Sequence, residues 1–130
     1  MDKIKYLPLL VILGPTASGK TNLAVKIADL NNGEIISADS RQIYKDMTIG
    51  TGKDLYEYIL NGKQIPYHLI DIISPQTDFS VFHFQKEFHQ IYNKILDRNS
   101  LPILCGGTGL YIESILLKYD MDEVEPNFDL

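Results

Sequence analysis

The stretch Gly14-Pro-Thr-Ala-Ser-Gly-Lys-Thr21 constrains the fold of this chain most, because it matches the phosphate-loop pattern G-x-x-x-x-G-K-[ST]. The apolar run Leu9–Leu13 precedes it, and residues 21–30 carry apolar side chains at helical spacing. The motif therefore lies between a predicted buried strand and a predicted helix, as a phosphate loop does. Gly14 and Gly19 let consecutive N–H groups point inward, and the helix adds its positive end. This predicts a site for a diphosphate or a triphosphate.

Every residue of the loop is a candidate ligand for phosphate. The Lys20 ammonium can reach the outer phosphate, and the Thr21 hydroxyl can bind Mg²⁺. The predicted phosphate-binding set is Gly14, Pro15, Thr16, Ala17, Ser18, Gly19, Lys20 and Thr21.

The composition fits a single domain of 130 residues, of which 45% are hydrophobic and can form a core. The sequence contains no apolar stretch long enough to span a membrane and no signal peptide. Its one cysteine, Cys105, excludes an internal disulfide and suits a reducing cytoplasm. Because Cys105 lies in the apolar run Ile103–Cys105, we interpret it as a buried strand residue rather than as a nucleophile.

The charges are unevenly distributed along the chain. Residues 1–118 hold all 12 Lys and Arg residues and an equal number of acids, so their charges cancel. The net charge of −5 therefore comes from the acidic end of the chain, which also contains Pro126 and has no periodic pattern. We expect a core over residues 1–118, with residues 119–130 as a solvated tail or the start of a linker. A basic footprint for nucleic acid is absent.

Strand-like and helix-like segments alternate, which predicts an α/β fold: a parallel sheet with helices on both faces. With its phosphate loop, this is the fold class of the P-loop containing nucleoside triphosphate hydrolases. The predicted strands are about Leu7–Leu13, Glu34–Ala38, Tyr67–Ile73 and Leu101–Cys105. The predicted helices run from the loop to about Leu30, over Asp54–Leu60 and Ser80–Arg98, and from Tyr111 to Leu117. A polar turn and a short helix are predicted around Ser40–Tyr44.

Ligands of such sheets bind beyond the carboxyl ends of the strands. Three segments follow predicted strands there: the phosphate loop, Asp39–Gln42 and Gly106–Gly109. We expect them to converge on one cleft.

Five motifs, in this order and spacing, resemble the tRNA dimethylallyltransferases over about residues 8–118. The resemblance implies transfer of a dimethylallyl group from its diphosphate to N6 of an adenine beside the tRNA anticodon. It also implies that the loop holds the prenyl diphosphate rather than ATP, with Mg²⁺ as cofactor, in a monomer that does not associate with membranes. The motifs are Gly14–Thr21, Ile36–Tyr44, Ile49–Lys53, His68–Asp71 and Gly106–Tyr111.

The chemistry of the candidate residues agrees with that role. An adenine amine is a poor nucleophile, so Asp39 at a strand end is the natural general base, although it could instead cap or close a turn. Lys20, the loop amides and Mg²⁺ would stabilise the charge of the departing diphosphate. Thr16 could hydrogen-bond its bridging oxygen or simply fill the loop. The predicted catalytic residues are thus Asp39, Thr16 and Lys20.

The predicted tRNA-binding residues lie at the same strand ends and include Asp39. Polar side chains there could bind a base taken out of its stack. A surface ion pair would explain Arg41 equally well, and a tight turn would explain Thr108. Asp71 is better explained as a cap or turn residue. The three histidines lack metal-ligand spacing, and the eight tyrosines are interpreted as packing residues. The tRNA-binding set is Asp39, Ser40, Arg41, Gln42 and Thr108.

Members of the resembled family are longer, and their later part grips the anticodon stem. We therefore expect an incomplete version of the enzyme, with residues 119–130 at the start of the missing tRNA-binding part. Two alternatives remain: a small-molecule kinase that uses the same loop on ATP, and a catalytically inactive nucleotide-binding fragment. A kinase needs an arginine-bearing lid, and the chain has only Arg41 and Arg98.

Overall fold

The structure is a computed structural model, and it describes residues 8–14, 19–40, 42–44, 55–70, 72–74, 76, 78–107 and 109–124. The described segments form an α/β domain with one larger sheet, a small hairpin and three α-helices. In chain order they are β1 (Leu10–Leu13), α1 (Lys20–Asn31), β2 (Gly33–Ser37), a 3₁₀ helix (Leu55–Tyr58), β3 (Ile59–Leu60), β4 (Lys63–Gln64), β5 (Tyr67–His68), α2 (Val81–Asp97), β6 (Leu101–Gly106) and α3 (Gly109–Val124).

The larger sheet has four parallel strands in the order β1-β6-β2-β5. The last strand along the chain, β6, therefore lies between the first two. Leu13 pairs with Gly106 and Ser37 with Cys105, so β1, β2 and β6 end at the same edge. The predicted parallel sheet is confirmed, and with it the shared carboxyl edge on which the site depends.

The two faces of the sheet bury two separate clusters of apolar side chains. Side chains alternate along a strand, so neighbouring residues lie on opposite faces of the sheet. Ile35 and Ile103 pack with α1, whereas Ile36 and Leu104 pack with α2 and α3. The prediction of helices on both faces is therefore confirmed. The helix predicted over Ser80–Arg98 is also confirmed as α2, which buries Phe84, Phe88, Tyr92 and Ile95.

The ends of the first two helices are set by local backbone chemistry. Asn32 ends α1 in the left-handed region with a φ of 54°, close to the predicted helix end at about Leu30. Ser80 caps α2 reciprocally: its hydroxyl accepts from the His83 N–H at 3.3 Å, and its own N–H donates to His83 Nδ1 at 3.1 Å. His83 is thus a capping residue.

Three predicted elements differ from the structure. The surface helix expected over Asp54–Leu60 is a 3₁₀ turn followed by the β3-β4 hairpin, because Asn61 and Gly62 both have positive φ and make a two-residue turn. Where a polar turn and a short helix were expected, Ser40 and residues 42–43 form the turn, and Tyr44 pairs with Ile73 rather than lying in a helix. The strand expected over residues 67–73 stops at His68, because Leu69 has a φ of 66°.

Helix α3 is longer than expected and runs to Val124, past the end of the predicted core at residue 118. The boundary between a core and an acidic tail remains a prediction, since residues 125–130 lie outside the described part. None of the described helices is both long and apolar enough to cross a bilayer.

Candidate active site

The phosphate loop lies between the end of β1 and the start of α1. The N–H of Gly14 donates a hydrogen bond of 3.3 Å to the carbonyl of Gly106. Gly19 precedes α1 with a φ of 85°, a conformation that glycine adopts without steric cost. The carbonyl of Gly19 accepts from the Leu23 N–H at 3.1 Å, which begins the helix. The phosphate contacts predicted for Pro15, Thr16, Ala17 and Ser18 stay predictions, because these residues lie outside the described part.

Lys20 and Thr21 occupy the first turn of α1. Lys20 is only 8% exposed, although lysines are usually solvated, and Thr21 is half-buried. The N–H groups of a first helical turn lack intrahelical acceptors, and the helix dipole places partial positive charge there. No acidic residue in this turn offsets that charge. The turn therefore combines backbone donors, an ammonium and a hydroxyl, which suits an anionic phosphate group.

Asp39 follows the carboxyl end of β2, as predicted. The Ala38 N–H donates to the carbonyl of Cys105 at 2.8 Å, so pairing with β6 continues beyond β2. The Gln42 N–H donates to the Asp39 carbonyl at 3.1 Å and closes a turn, while the Ser37 hydroxyl donates to the Gln42 amide oxygen at 3.0 Å. Asp39 and Gln42 are buried polar residues at this edge of the sheet.

The thiol of Cys105 lies at the end of β6, beside the first turn of α1. Its Sγ is 3.9 Å from the carbonyl oxygen of Lys20. Burial raises the pKa of Cys105 to about 11; the positive charge of Lys20 lowers this pKa, and the negative charge of Asp39 raises it. Such a pKa keeps the thiol protonated near neutral pH, which fits the predicted buried strand residue rather than a nucleophile.

The segment Gly106–Gly109, at the end of β6, approaches the site through Gly106. A Cβ added at Gly106 would lie 2.4 Å from the carbonyl oxygen of Ala38, so only glycine fits there. Tyr111, in the first turns of α3, is buried, and its pKa is raised by that burial and further by the charges of Tyr44 and Asp39. The segment thus closes against β2, as expected for converging strand ends.

Several predicted site residues cannot be placed. Arg41, Asp71 and Thr108 lie outside the described residues, and their predicted roles stay predictions. Ser40 is half-buried in the turn that follows Asp39. Among the residues that the structure describes, no group of three or more His, Cys, Asp or Glu side chains could hold a metal ion.

Arg98 and His68 lie at the opposite edge of the sheet, where both contact Glu34. Arg98 donates to the carboxylate from Nε at 2.9 Å and from Nη2 at 2.6 Å, and His68 Nε2 lies 2.8 Å from Oε1. The hydrogen bonds from Arg98 are the main reason that the pKa of Glu34 falls to about 2. Glu34 is near the start of β2. Arg98 therefore contacts the sheet at the amino ends of its strands, away from the position of a lid over the phosphate loop.

Sequence reasoning missed one residue beside the site. Tyr58 is buried against α1; burial raises its pKa and a hydrogen bond with Thr21 lowers that pKa, yet it was interpreted only as a packing residue. No local signal could have identified it, because the segment around Tyr58 matches none of the five motifs and contacts α1 only in the folded chain.

Comparison with protein families gives two overlapping matches. The model described as IPP transferase matches residues 42–129, and the model described as isopentenyl transferase matches residues 7–71. The first match covers more than half of the chain. The chain belongs to the IPP transferase family.

Individual members of this family agree over nearly the whole chain. A tRNA dimethylallyltransferase 1 from Azobacteroides pseudotrichonymphae is 59% identical over 122 residues, covering 94% of this chain and 40% of that relative. The chain thus spans about two fifths of the curated relatives' length.

Solved structures of the family share the fold. The tRNA delta(2)-isopentenylpyrophosphate transferase of Staphylococcus epidermidis is 40% identical, with a TM-score of 0.74 over 91% of this chain and 42% of that one. The full-length tRNA isopentenylpyrophosphate transferase of Bacillus halodurans is 36% identical, with a TM-score of 0.78 over 95% of this chain and 44% of that one. This likeness confirms the predicted P-loop α/β fold.

Proposed function

We propose that this chain carries the donor site and the general base of a tRNA dimethylallyltransferase. The reaction would move a dimethylallyl group from dimethylallyl diphosphate to N6 of an adenine beside the tRNA anticodon. One observation supports this most directly: Lys20 and Asp39 are both buried, and the strands that lead to them, β1 and β2, end at the same edge of the sheet as β6. This arrangement supports a phosphate-binding cation and a candidate base on one side of the sheet, as a prenyl transfer requires.

The donor would bind at the phosphate loop. The first-turn amides of α1 and the buried Lys20 favour a diphosphate over a neutral ligand, and they oppose the build-up of negative charge as the diphosphate leaves. We assign Thr16 to the bridging oxygen, with the rest of residues 14–21 around the phosphates. The leaving group departs with the electron pair of the broken C–O bond.

Mg²⁺ fits this site as a cation held mainly by the substrate. It prefers oxygen ligands and usually keeps substrate phosphates and water in its shell. The described residues offer no cage of three or more acidic, His or Cys side chains, whereas the Thr21 hydroxyl lies beside the loop. Thr21 is therefore the proposed protein ligand. When bound, Mg²⁺ would offset charge on the diphosphate.

The acceptor would approach from the Asp39 side. Asp39 would take one proton from the adenine N6 amine as the nitrogen–carbon bond forms. Ser40, Arg41, Gln42 and Thr108 would hold the extruded base or its flanking phosphates, with stacking energy lost on extrusion regained from these contacts. We further propose a monomer that acts in the cytoplasm.

Lys20→Ala tests the donor site. Removal of the buried ammonium should weaken the binding of dimethylallyl diphosphate by at least about tenfold, since charge-assisted hydrogen bonds to phosphate are strong. Isothermal titration calorimetry of the 130-residue chain, with Mg²⁺ present, measures this directly. Lys26→Ala, an exposed lysine on the same helix, is the matched control and should bind as the wild type does. Unchanged affinity in Lys20→Ala would contradict the proposed donor site.

A further inference from the structure

The first strand of the larger sheet lies at an edge, although its sequence resembles that of an inner strand. Within the part of the chain that the structure describes, β1 pairs only with β6. All four residues of β1 are apolar, and Leu13 is 61% exposed, whereas β2 and β6 are buried almost throughout. A continuous apolar run is typical of a strand inside a parallel sheet.

The two edges of this sheet differ in how they are protected. Edge strands are usually kept from pairing with other chains because they are very short or carry charges or proline. The edge strand β5 has two residues and follows Pro66 directly. The strand β1, over Leu10–Leu13, contains neither a charge nor a proline. The sequence of β1 therefore indicates an edge that another strand covers.

Two residues of β1 direct their backbone groups away from β6. The Gly14 N–H donates to the Gly106 carbonyl at 3.3 Å. Backbone groups alternate between the two sides of a strand, so Ile12 also faces β6, whereas the N–H and C=O groups of Val11 and Leu13 point to the open side. These are the groups with which a further strand would pair.

The path of the chain through the sheet shows which edge a later strand would reach. From β1 the chain moves across the sheet to β2 with α1 on one face, and from β5 it moves back to β6 with α2 on the other face. Both connections fit one hand, as crossovers between parallel strands almost always do. Helix α3 follows β6 and packs on the same face as α2. A crossover of the same hand through α3 therefore leads past β1.

We propose that the open edge of β1 binds a parallel strand from the part of a full-length enzyme that follows residue 130. This chain covers 40% of the Azobacteroides relative, which has ample further length for such a strand. The strand would extend the sheet beside Leu13, next to the start of the phosphate loop. A second copy of this chain is the competing occupant, and the net charge of −5 on each copy opposes that pairing.

Hydrogen exchange measured by NMR compares this chain with a chimera that joins it to the remaining part of the Azobacteroides relative. The amides of Val11 and Leu13 should exchange at least about tenfold more slowly in the chimera, because both become hydrogen-bonded. The Tyr67 amide is the matched control: Ile35 bonds to the carbonyl of Pro66, so the next amide points away from β2. It should exchange at the same rate in both proteins.

Two results of this comparison would overturn the proposal. One is equal exchange of the Val11 and Leu13 amides in the two proteins. The other is slow exchange of these amides in the 130-residue chain that becomes faster on dilution, which would identify a second copy as the occupant. No ligand is present in these measurements, so a failure of the proposed donor site would leave their outcome unaffected.

Val11→Pro gives a second test of the same edge. Proline lacks an N–H and is tolerated in a strand where that N–H would face solvent. Val11→Ala also removes side-chain packing but keeps the N–H. The difference in melting temperature between the two variants should therefore be at least about 2 °C larger in the chimera than in the 130-residue chain. A difference of the same size in both proteins would contradict a strand on this edge.

Discussion

At the scale of single residues, Asp39 is the group on which the proposed transfer depends. Its carboxylate is buried, and the turn after it is closed by its backbone carbonyl, which bonds to the Gln42 N–H at 3.1 Å. Because the main chain closes that turn, a change from carboxylate to amide at residue 39 preserves this bond. The chemical role of Asp39 can therefore be tested separately from the fold.

Asp39→Asn should leave donor binding unchanged and slow the transfer step by about 10²–10⁴-fold, the usual effect of losing a general base. Single-turnover transfer to unmodified tRNA measures the rate, in a chimera that joins this chain to the remaining part of the Azobacteroides relative. Calorimetry on the 130-residue chain measures donor binding.

Asp97→Asn, at the exposed end of α2, serves as the control and should alter neither quantity. If Asp39→Asn reduced rate and donor affinity by the same factor, Asp39 would be structural. An unaffected rate would mean that another group takes the proton.

Sequence reasoning worked best for residues at the ends of strands. Lys20 and Asp39 were predicted because a motif and a strand end occur there; the parallel register confirms the shared strand ends, and the roles of both residues stay predictions. Tyr58 escaped notice because its contact with Thr21 spans 37 positions and leaves no local pattern. The role of Gly106 was left open, since only the folded backbone shows how closely Ala38 approaches it.

At the scale of secondary-structure elements, the ion pair at Glu34 joins three of them. Glu34 lies in β2, His68 in β5, and Arg98 directly after α2. The Glu34 side chain is only 7% exposed, so its charge depends on these partners more than on water. The amino ends of the sheet strands and the end of α2 are therefore held together by one carboxylate.

This contact predicts a pH-dependent stability. The pKa of Glu34 is lowered to about 2 from an ordinary value of 4.5. A carboxylate with a lowered pKa stabilises the fold fully above its unfolded pKa, and that contribution is lost as the pH falls towards the folded value. Glu34→Gln should thus reduce the free energy of unfolding by about 1–3 kcal/mol near pH 7, and the difference from the wild type should shrink between pH 4.5 and 2.

Urea unfolding of both proteins at a series of pH values measures this difference. Glu113→Gln, an exposed acid on α3, is the control and should change stability little at any pH. A difference between Glu34→Gln and the wild type that is the same at pH 3 and pH 7 would contradict the ionic origin of the contribution.

Elements with strong periodicity were predicted well, whereas short ones were not. The seventeen residues of α2 show a clear apolar stripe, and the structure confirms the helix. The hairpin over residues 59–64 has strands of two residues each, too short for any alternation to appear. A helix was predicted up to Leu60, although the Asn61-Gly62 pair that follows favours a tight hairpin turn. Packing of the segment against α1 decides between the two.

At the scale of the whole molecule, charge limits what this chain can do with tRNA. Binding to nucleic acid depends largely on phosphate neutralisation by Lys and Arg. Residues 1–118 have equal numbers of basic and acidic side chains, and the net charge of the whole chain is −5. The 130 residues thus offer the proposed donor site but little attraction for a polyanion.

The 130-residue chain alone should therefore bind dimethylallyl diphosphate and transfer little or none of it to tRNA. Incorporation of labelled prenyl groups into unmodified tRNA measures the transfer, and the chimera described above serves as the positive control. Robust turnover by the short chain at moderate salt would show that its own surface is sufficient for tRNA binding.

The strand order also determines when the active edge can exist during synthesis. The phosphate loop and Asp39 are complete within the first forty residues, yet β1 and β2 share no hydrogen bonds and are joined only through β6. Until residues 101–106 leave the ribosome, the two apolar strands have no partner between them, which leaves the nascent chain open to aggregation. The centre strand then enters last and joins both halves of the edge in one step, so this edge of the sheet forms late in synthesis.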